Sequence, residues 1–307
     1  MRIVYMGTPD IAVPCLRLLA ESAHEVVGVF TQPDRPKGRG HHTIPTPVKA
    51  AALEYDIPVY QPLSLRKGED AEAAMETLRQ LAPDLIVVMA YGQILPKAVL
   101  DLPPYHCINM HASLLPAYRG AAPIQWVLLN GETKTGITAM QMAEGLDTGD
   151  MLLKKEIDIG PEETAAELHD RLAELAAETL RETLASLENG TLTAEPQDDA
   201  LSSYASRITK EMSELDFTKP AAELHDLIRG ITGFTMLDGK RLKVYASRVV
   251  EHVSGTPGTI ADSAEFVVVC GDGNGLRLTE IQPEGKRRMA AADFLRGKKL
   301  TNGETLG

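Results

Sequence analysis

Arg2-Ile3-Val4-Tyr5-Met6-Gly7-Thr8-Pro9-Asp10 is the stretch that decides how this chain folds. Ile3 to Met6 is an unbroken apolar run, which suits a strand buried on both faces, and Gly7 to Asp10 stops it. A helix rich in apolar residues is predicted from about Ile11 to Glu21, and Val26-Val27-Gly28-Val29-Phe30 reads as the next strand. Strand, turn, helix and strand in that order predict an α/β fold with a doubly wound, mostly parallel, Rossmann-like sheet. No G-x-G-x-x-G follows the first strand, so no dinucleotide site is inferred.

The alternation continues outward. Helices are predicted near Pro47 to Tyr55 and Asp70 to Leu81, with an edge strand at Pro58-Val59-Tyr60 between them. Leu85 to Ala90 is a fully apolar strand that ends at Tyr91-Gly92. In Ile108-Asn109-Met110-His111 apolar and polar residues alternate, so Asn109 and His111 share one face of a strand. Pro116 and Gly120 then break the chain into a loop before a helix over Pro123 to Asn130, which holds the single tryptophan, Trp126, read as a packing residue. Open α/β sheets place their ligand crevice at the carboxyl ends of the strands, so an amide and an imidazole there suit a reaction centre.

Strands follow at Thr135 to Met142 and Met151 to Ile157, joined by the glycine-flanked loop Glu144-Gly145-Leu146-Asp147-Thr148-Gly149-Asp150. An amphipathic helix from Glu162 to Leu187 carries its leucines at helical spacing, and Asn189-Gly190 stops it. His169 on that helix reads as structural. Residues 191–206 are polar and irregular, as in a linker. Beyond them lie one short helix, Pro220 to Ile231, and short strands separated by turns, the pattern of a small OB-like β-barrel. The expected organisation is thus 1–190, a linker at 191–206, and 207–307.

Composition sets further bounds. The chain has 307 residues, 44% hydrophobic and 24% charged, as soluble globular proteins do. No apolar run approaches the roughly 20 residues of a membrane helix, and Met1 leads straight into a strand pattern, so a cytoplasmic protein is expected. Cys15, Cys107 and Cys270 are widely spaced in apolar surroundings and read as buried free thiols rather than a disulfide or metal set. Cys107 lacks any activating signature for a nucleophile.

The net charge of −12 is unevenly spread: from Arg207 onward 15 Lys/Arg face 14 Asp/Glu, leaving 16 against 29 before it. Arg35 to Leu53 nevertheless contains no acid. Its first part, Thr31-Gln32-Pro33-Asp34-Arg35-Pro36-Lys37-Gly38-Arg39-Gly40-His41-His42, mixes prolines and glycines with cations, which excludes a helix or central strand. It reads either as a solvated loop or as one that grips phosphates. A second cationic cluster, Lys286-Arg287-Arg288 with Arg296, Lys298 and Lys299, includes one acid, Asp293.

Asn109, His111 and Asp147 supply an amide, a base and an acid. An amide N–H₂ can meet a developing oxyanion, an imidazole can move a proton near neutral pH, and a carboxylate can orient the imidazole. On residue types alone the trio fits a satisfied polar cluster as well as a reaction centre. Asp147 and Asp150 alone are a weak metal signal, and none is expected.

Asn109-x-His111 followed by Ser113-Leu114-Leu115-Pro116 and Tyr118-Arg119-Gly120, with Gly145-Leu146-Asp147-Thr148-Gly149-Asp150 downstream, resembles the formyltransferase family that uses 10-formyltetrahydrofolate. Gly7-Thr8-Pro9-Asp10, Thr31 to Pro36, Gly38-Arg39-Gly40 and Gly120 to Gln125 extend the likeness toward members that formylate methionine on initiator tRNA. The resemblance implies catalytic roles for Asn109, His111 and Asp147. It implies folate contacts at Ser113, Leu114, Leu115 and Pro116, with a pterin contact from the backbone near Tyr91 and Gly92. Arg35, Lys37, Arg39 and Lys49 would contact the tRNA acceptor end, and the C-terminal barrel the tRNA body. A monomer with these two substrates, no metal and no membrane is expected. Three features depart from the family pattern: Ala112 in place of glycine, His41-His42 in place of lysines, and the segment Ile228 to Phe234. Amino-sugar nucleotides, glycinamide ribonucleotide or water are alternative acceptors, and a non-catalytic tRNA- or folate-binding protein is a different alternative.

Overall fold

The structure, a computed structural model, describes residues 1–37 and 42–307. The first strand is β1 (Arg2–Gly7), and β2 (Glu25–Phe30), β3 (Val59–Tyr60), β4 (Leu85–Met89), β5 (Cys107–His111), β6 (Lys134–Gln141) and β7 (Met151–Asp158) join it in one sheet. The strand order is β7-β6-β5-β4-β1-β2-β3. β1 pairs in parallel with β2 on one side and β4 on the other, Ile3 lying opposite Val26 and Leu85. The chain therefore winds outward from β1 to β3, then crosses back to β4 and continues the other way. β5 is parallel to β4, whereas β6 and β7 run antiparallel. The doubly wound, mostly parallel sheet expected from the opening stretch is present.

Burial follows the sequence pattern. β4 is buried at all five positions and β1 at five of six, as strands covered on both faces must be. On one face Val4, Met6, Ile86, Val88 and Cys107 pack with Ala74 and Leu78 of the helix Glu69–Leu81. Glu69, Asp70 and Glu72 in the first turn of that helix suit the positive end of its dipole. By strand parity Asn109 and His111 stand on the same face as Cys107.

Contacts divide the chain into two compact units. The first comprises residues 1–123, 134–158 and 167–205, and the second 124–133, 159–166 and 206–307. The division differs from a single cut at a linker, because residues through Ala205 pack with the first unit. Tyr204-Ala205 pairs in parallel with Arg119-Gly120, and Glu195 exchanges backbone hydrogen bonds of 2.8 Å with Met151. The second unit holds an antiparallel sheet in the order Gly233–Leu237, Lys240–Val250, Gly275–Pro283, Val267–Val269, Ile260–Asp262, with Met289–Ala290 added to Gly275–Pro283. Its core joins Leu242, Val244, Phe266, Leu276 and Ile281 to Leu224 and Ile228 of the helix Ala221–Ile231.

Candidate active site

β5 ends where its neighbours fix it from both sides. Val88 of β4 lies opposite Asn109, and on the other side Met140 and Thr138 of β6 face Asn109 and His111. The turn that follows is stitched to β6: the Thr138 hydroxyl donates to the Ser113 carbonyl at 2.7 Å and accepts from the Leu115 N–H at 3.1 Å. The Ser113 hydroxyl donates to the Ala117 carbonyl at 2.7 Å. Ser113 and Leu115 are buried, whereas Leu114 and Pro116 are half-buried. The four residues expected to line a folate site therefore differ: Leu114 and Pro116 have accessible side chains, whereas Ser113 and Leu115 are buried and tied to Ala117 and Thr138.

His111 is buried, and its Nε2 lies 2.9 Å from the Tyr118 carbonyl. A carbonyl only accepts, so Nε2 carries the proton and the neutral ring keeps its lone pair on Nδ1. Nδ1 faces the Asp147 carboxylate at 3.7 Å. That separation is too long for a hydrogen bond, so the carboxylate faces the ring without binding it. The tautomer is thus set by the carbonyl of Tyr118, which has a left-handed φ of 61°. Asp147 Oδ2 instead accepts from the Gly120 N–H at 2.8 Å. Gly120 has a φ of 117°, and a Cβ there would lie 2.8 Å from the Ala205 carbonyl oxygen, so only glycine fits. Asn109 is partly exposed, and its amide has no hydrogen-bond partner among the described residues, so its N–H₂ group is free to meet a ligand.

The loop bearing Asp147 closes on the end of β6. The Gln141 N–H donates to the Asp150 carbonyl at 2.9 Å. At Gly149 a Cβ would stand 1.7 Å from the Gln141 carbonyl oxygen, a closeness no side chain survives. Asp150 therefore closes the turn through its backbone. Among the described residues no group of three or more His, Cys, Asp and Glu could hold a metal ion.

Beside this centre lies the point where the strand order reverses, between β1 and β4. The Thr8 hydroxyl donates to the Tyr91 carbonyl at 2.8 Å and accepts from the Gln32 N–H at 3.2 Å, and the Gln32 amide reaches the same carbonyl at 3.2 Å. Three strand ends are tied together, and the Tyr91 carbonyl is already doubly satisfied. Of the backbone near Tyr91 and Gly92 expected to contact a pterin, this carbonyl is engaged within the protein. The Tyr91 hydroxyl is buried without a hydrogen-bond partner among the described residues, and burial raises its pKa.

The cationic segment is more ordered than a loop at its ends. Arg35–Lys37 pairs antiparallel with His42–Ile44, Arg35 opposite Ile44. Arg35 is exposed; Arg39, the side chain of Lys37 and His41 lie outside the described residues. Lys49 is engaged within the protein: its Nζ donates to Asp34 at 2.5 Å and to Gln61 at 2.8 Å. Hydrogen bonding from Lys49 and then Gln61 holds the Asp34 carboxyl below its ordinary pKa. Lys49 lies in the first turn of the helix Pro47–Glu54, whose Thr46 cap accepts from the Lys49 N–H. So placed, Lys49 braces the base of the ribbon.

His169 has partners: Nε2 lies 3.2 Å from Asp10 and Nδ1 3.0 Å from Asp170. In the C-terminal cationic cluster Arg288 pairs with Glu280, Arg296 with Asp293 and Lys298 with Asp238, which leaves Lys286, Arg287 and Lys299 without ion pairs among the described residues. All three thiols are buried and free, and burial pushes the Cys107 thiol up to about 12, which removes it as a nucleophile near neutral pH.

The sequence profile of the family described as "Formyl transferase" matches residues 1–184, and that described as "Formyl transferase, C-terminal domain" matches residues 207–299. The chain belongs to the formyl transferase family. Relatives named methionyl-tRNA formyltransferase extend the match from end to end. The one from Alkaliphilus oremlandii is 51% identical over 313 residues, covering 100% of both chains. The one from Geobacter sulfurreducens is 51% identical over 312 residues, covering 100% of this chain and 97% of its own. Among solved structures, an N-formyltransferase from Helicobacter canadensis in complex with folinic acid and dTDP-3-aminofucose has a TM-score of 0.68 at 20% identity, covering 92% of this chain and 99% of its own. A glycinamide ribonucleotide transformylase from Symbiobacterium toebii has a TM-score of 0.53 at 18% identity, covering 64% of this chain and 94% of its own. At such identities the likeness to these two structures is one of fold. As a member of this family the chain is a formyl-transferring enzyme.

Proposed function

We propose that this chain transfers the formyl group of 10-formyltetrahydrofolate to the α-amino group of methionine on initiator tRNA. The observation that carries the reading is the full-length identity of about half to relatives bearing the corresponding name. The geometry of Asn109, His111 and Asp147 supports the chemistry.

The neutral methionyl amine attacks the formyl carbon, a C–N bond forms, and the formyl oxygen becomes an oxyanion. The Asn109 N–H₂ group, without a partner among the described residues, donates to that oxygen. Such a donor strengthens as charge develops, which is the condition for lowering a barrier. The attacking nitrogen must lose a proton and the departing folate nitrogen must gain one. His111 Nδ1 holds the lone pair that takes it, and the Asp147 carboxylate 3.7 Å away stabilises the imidazolium until the proton moves on. The C–N bond to folate then breaks, and tetrahydrofolate leaves.

Folate lies along Ser113 to Pro116, with Leu114 and Pro116 offering side chains. Arg35, Lys37 and Arg39 grip the acceptor end of the tRNA, and Lys49 acts by bracing their ribbon. Residues 207–307 bind the tRNA body through Lys286, Arg287 and Lys299. In this reading the protein acts as a monomer in the cytoplasm, where its acceptor is used.

The test offers a labelled formyl donor with initiator Met-tRNA, uncharged tRNA, an amino-sugar nucleotide and glycinamide ribonucleotide. Label on Met-tRNA is expected. Label on the sugar but not on Met-tRNA would overturn the acceptor, and tight tRNA binding without transfer to any of them would overturn the enzymatic reading.

A further inference from the structure

The segment 191–206 carries side chains that reach the supports of the reaction centre. Gln197 Nε2 donates to the Asp147 carbonyl at 2.8 Å and to the Gly149 carbonyl at 2.7 Å. Its Oε1 accepts from Arg119 Nε at 2.9 Å. Two acceptors on one end and a guanidinium on the other leave only one orientation of the amide. Arg119 is 2% exposed, and its Nη2 is paired with Asp199 at 2.8 Å. Tyr204 and Ala205 meanwhile pair with Arg119 and Gly120.

One strap therefore holds both loops that converge on Asp147: the loop that carries it, and the turn whose Gly120 N–H its carboxylate accepts. Asp147 has a φ of 52°, a left-handed conformation that a residue with a side chain keeps only when its surroundings impose it. Within the loop, Gln197 is the side chain that donates to the carbonyls on both sides of Thr148.

We propose that Gln197 is a positioning residue for formyl transfer: its two amide hydrogens fix the Asp147 loop, and so the distance from the Asp147 carboxylate to His111 Nδ1. Arg119 acts one step further out by fixing the Gln197 amide. The inference rests on the reading of Asp147 as the partner of His111 in transfer to Met-tRNA.

Gln197→Glu isolates the donor role, because a carboxylate still accepts from Arg119 but has nothing to donate to the two carbonyls. Kinetics with 10-formyltetrahydrofolate and initiator Met-tRNA should show kcat lowered about tenfold or more, since small displacements of a catalytic group are amplified in rate. KM for either substrate should stay within about twofold, because the residue acts on placement rather than binding. Hydrogen exchange at the Gly120 amide, measured in the substrate-free protein, should accelerate as the Asp147 carboxylate loosens. Gln197→Ala gives the same readouts should Gln197→Glu fail to fold. An unchanged kcat, a loss confined to KM, or an unchanged Gly120 exchange rate would overturn the proposal. An unaltered protein that fails to formylate Met-tRNA would overturn the functional reading instead, and the exchange measurement would still judge the strap.

Discussion

Strand β5 and the ribbon Arg35–Lys37/His42–Ile44 both carry residues assigned to the reaction, and they are held in different ways. β5 is flanked by β4 and β6, and the turn after it is stitched to Thr138. The ribbon pairs with its own second arm, with Lys49, Asp34 and Gln61 joined beneath it. Groups that make and break bonds need sub-ångström placement, which a strand paired on both sides provides. Groups that meet a polyanion work through charge over longer distances and tolerate a peripheral mounting. The two regions should therefore separate kinetically, one in turnover and the other in acceptor capture.

The largest expected effect is at Asn109. Asn109→Ala removes the oxyanion donor and should lower kcat by about 10²–10³-fold with little change in tRNA affinity, as for other oxyanion-hole donors; rapid-quench kinetics and a tRNA binding assay together check this. Next comes Gly149→Ala. Its Cβ would stand 1.7 Å from the Gln141 carbonyl oxygen, so the Asp147 loop must move. Overpacking of this kind costs about 1–3 kcal/mol, so denaturant unfolding should show the loss alongside a kcat about tenfold lower if placement of Asp147 matters as argued. A fall in stability with kcat intact would break the link between that loop and turnover.

Smaller effects belong to the ribbon. Arg35→Ala should raise KM for Met-tRNA about severalfold, leave kcat unchanged, and reduce the salt dependence of tRNA binding by about one counterion. A fall in kcat instead would mean that the ribbon helps place the reacting amine. The smallest effect concerns Lys49. The Asp34 carboxyl titrates below its ordinary value in the folded protein, so the stability it contributes is present above the unfolded carboxylate pKa, about 3.9, and disappears as pH falls through the lower folded value. Lys49→Met should thus be less stable than the parent by a constant amount near neutral pH, with the gap narrowing below about pH 4. Urea unfolding at a series of pH values measures it.

Much of the architecture was legible because it follows local rules. The apolar runs Ile3 to Met6 and Leu85 to Met89, short and bounded by turn residues, read as strands buried on both faces, and alternation at Ile108 to His111 put Asn109 and His111 on one side. What stayed hidden depends on contacts between distant residues. Nothing near Lys49 in sequence shows that Asp34 and Gln61 will engage it, and nothing in the irregular 191–206 segment shows that Gln197 will reach Asp147. The source of the His111 tautomer is hidden from the sequence for a similar reason. It is a backbone carbonyl, and its direction depends on the left-handed φ at Tyr118. The Tyr118-Arg119-Gly120 motif was visible, but only the fold shows that Gly120 supplies the N–H that holds the Asp147 carboxylate.

In the proposed mechanism His111 is the group that moves the proton, and the other steps depend on it. Single-turnover formyl transfer to initiator Met-tRNA by His111→Ala, measured beside its equilibrium affinity for the same tRNA, addresses this directly. The predicted result is a rate about 10²–10⁴-fold below the parent, the usual range for a lost general acid–base, with tRNA affinity within about twofold because recognition resides elsewhere. A near-normal rate, or a loss explained by weaker tRNA binding alone, would contradict it.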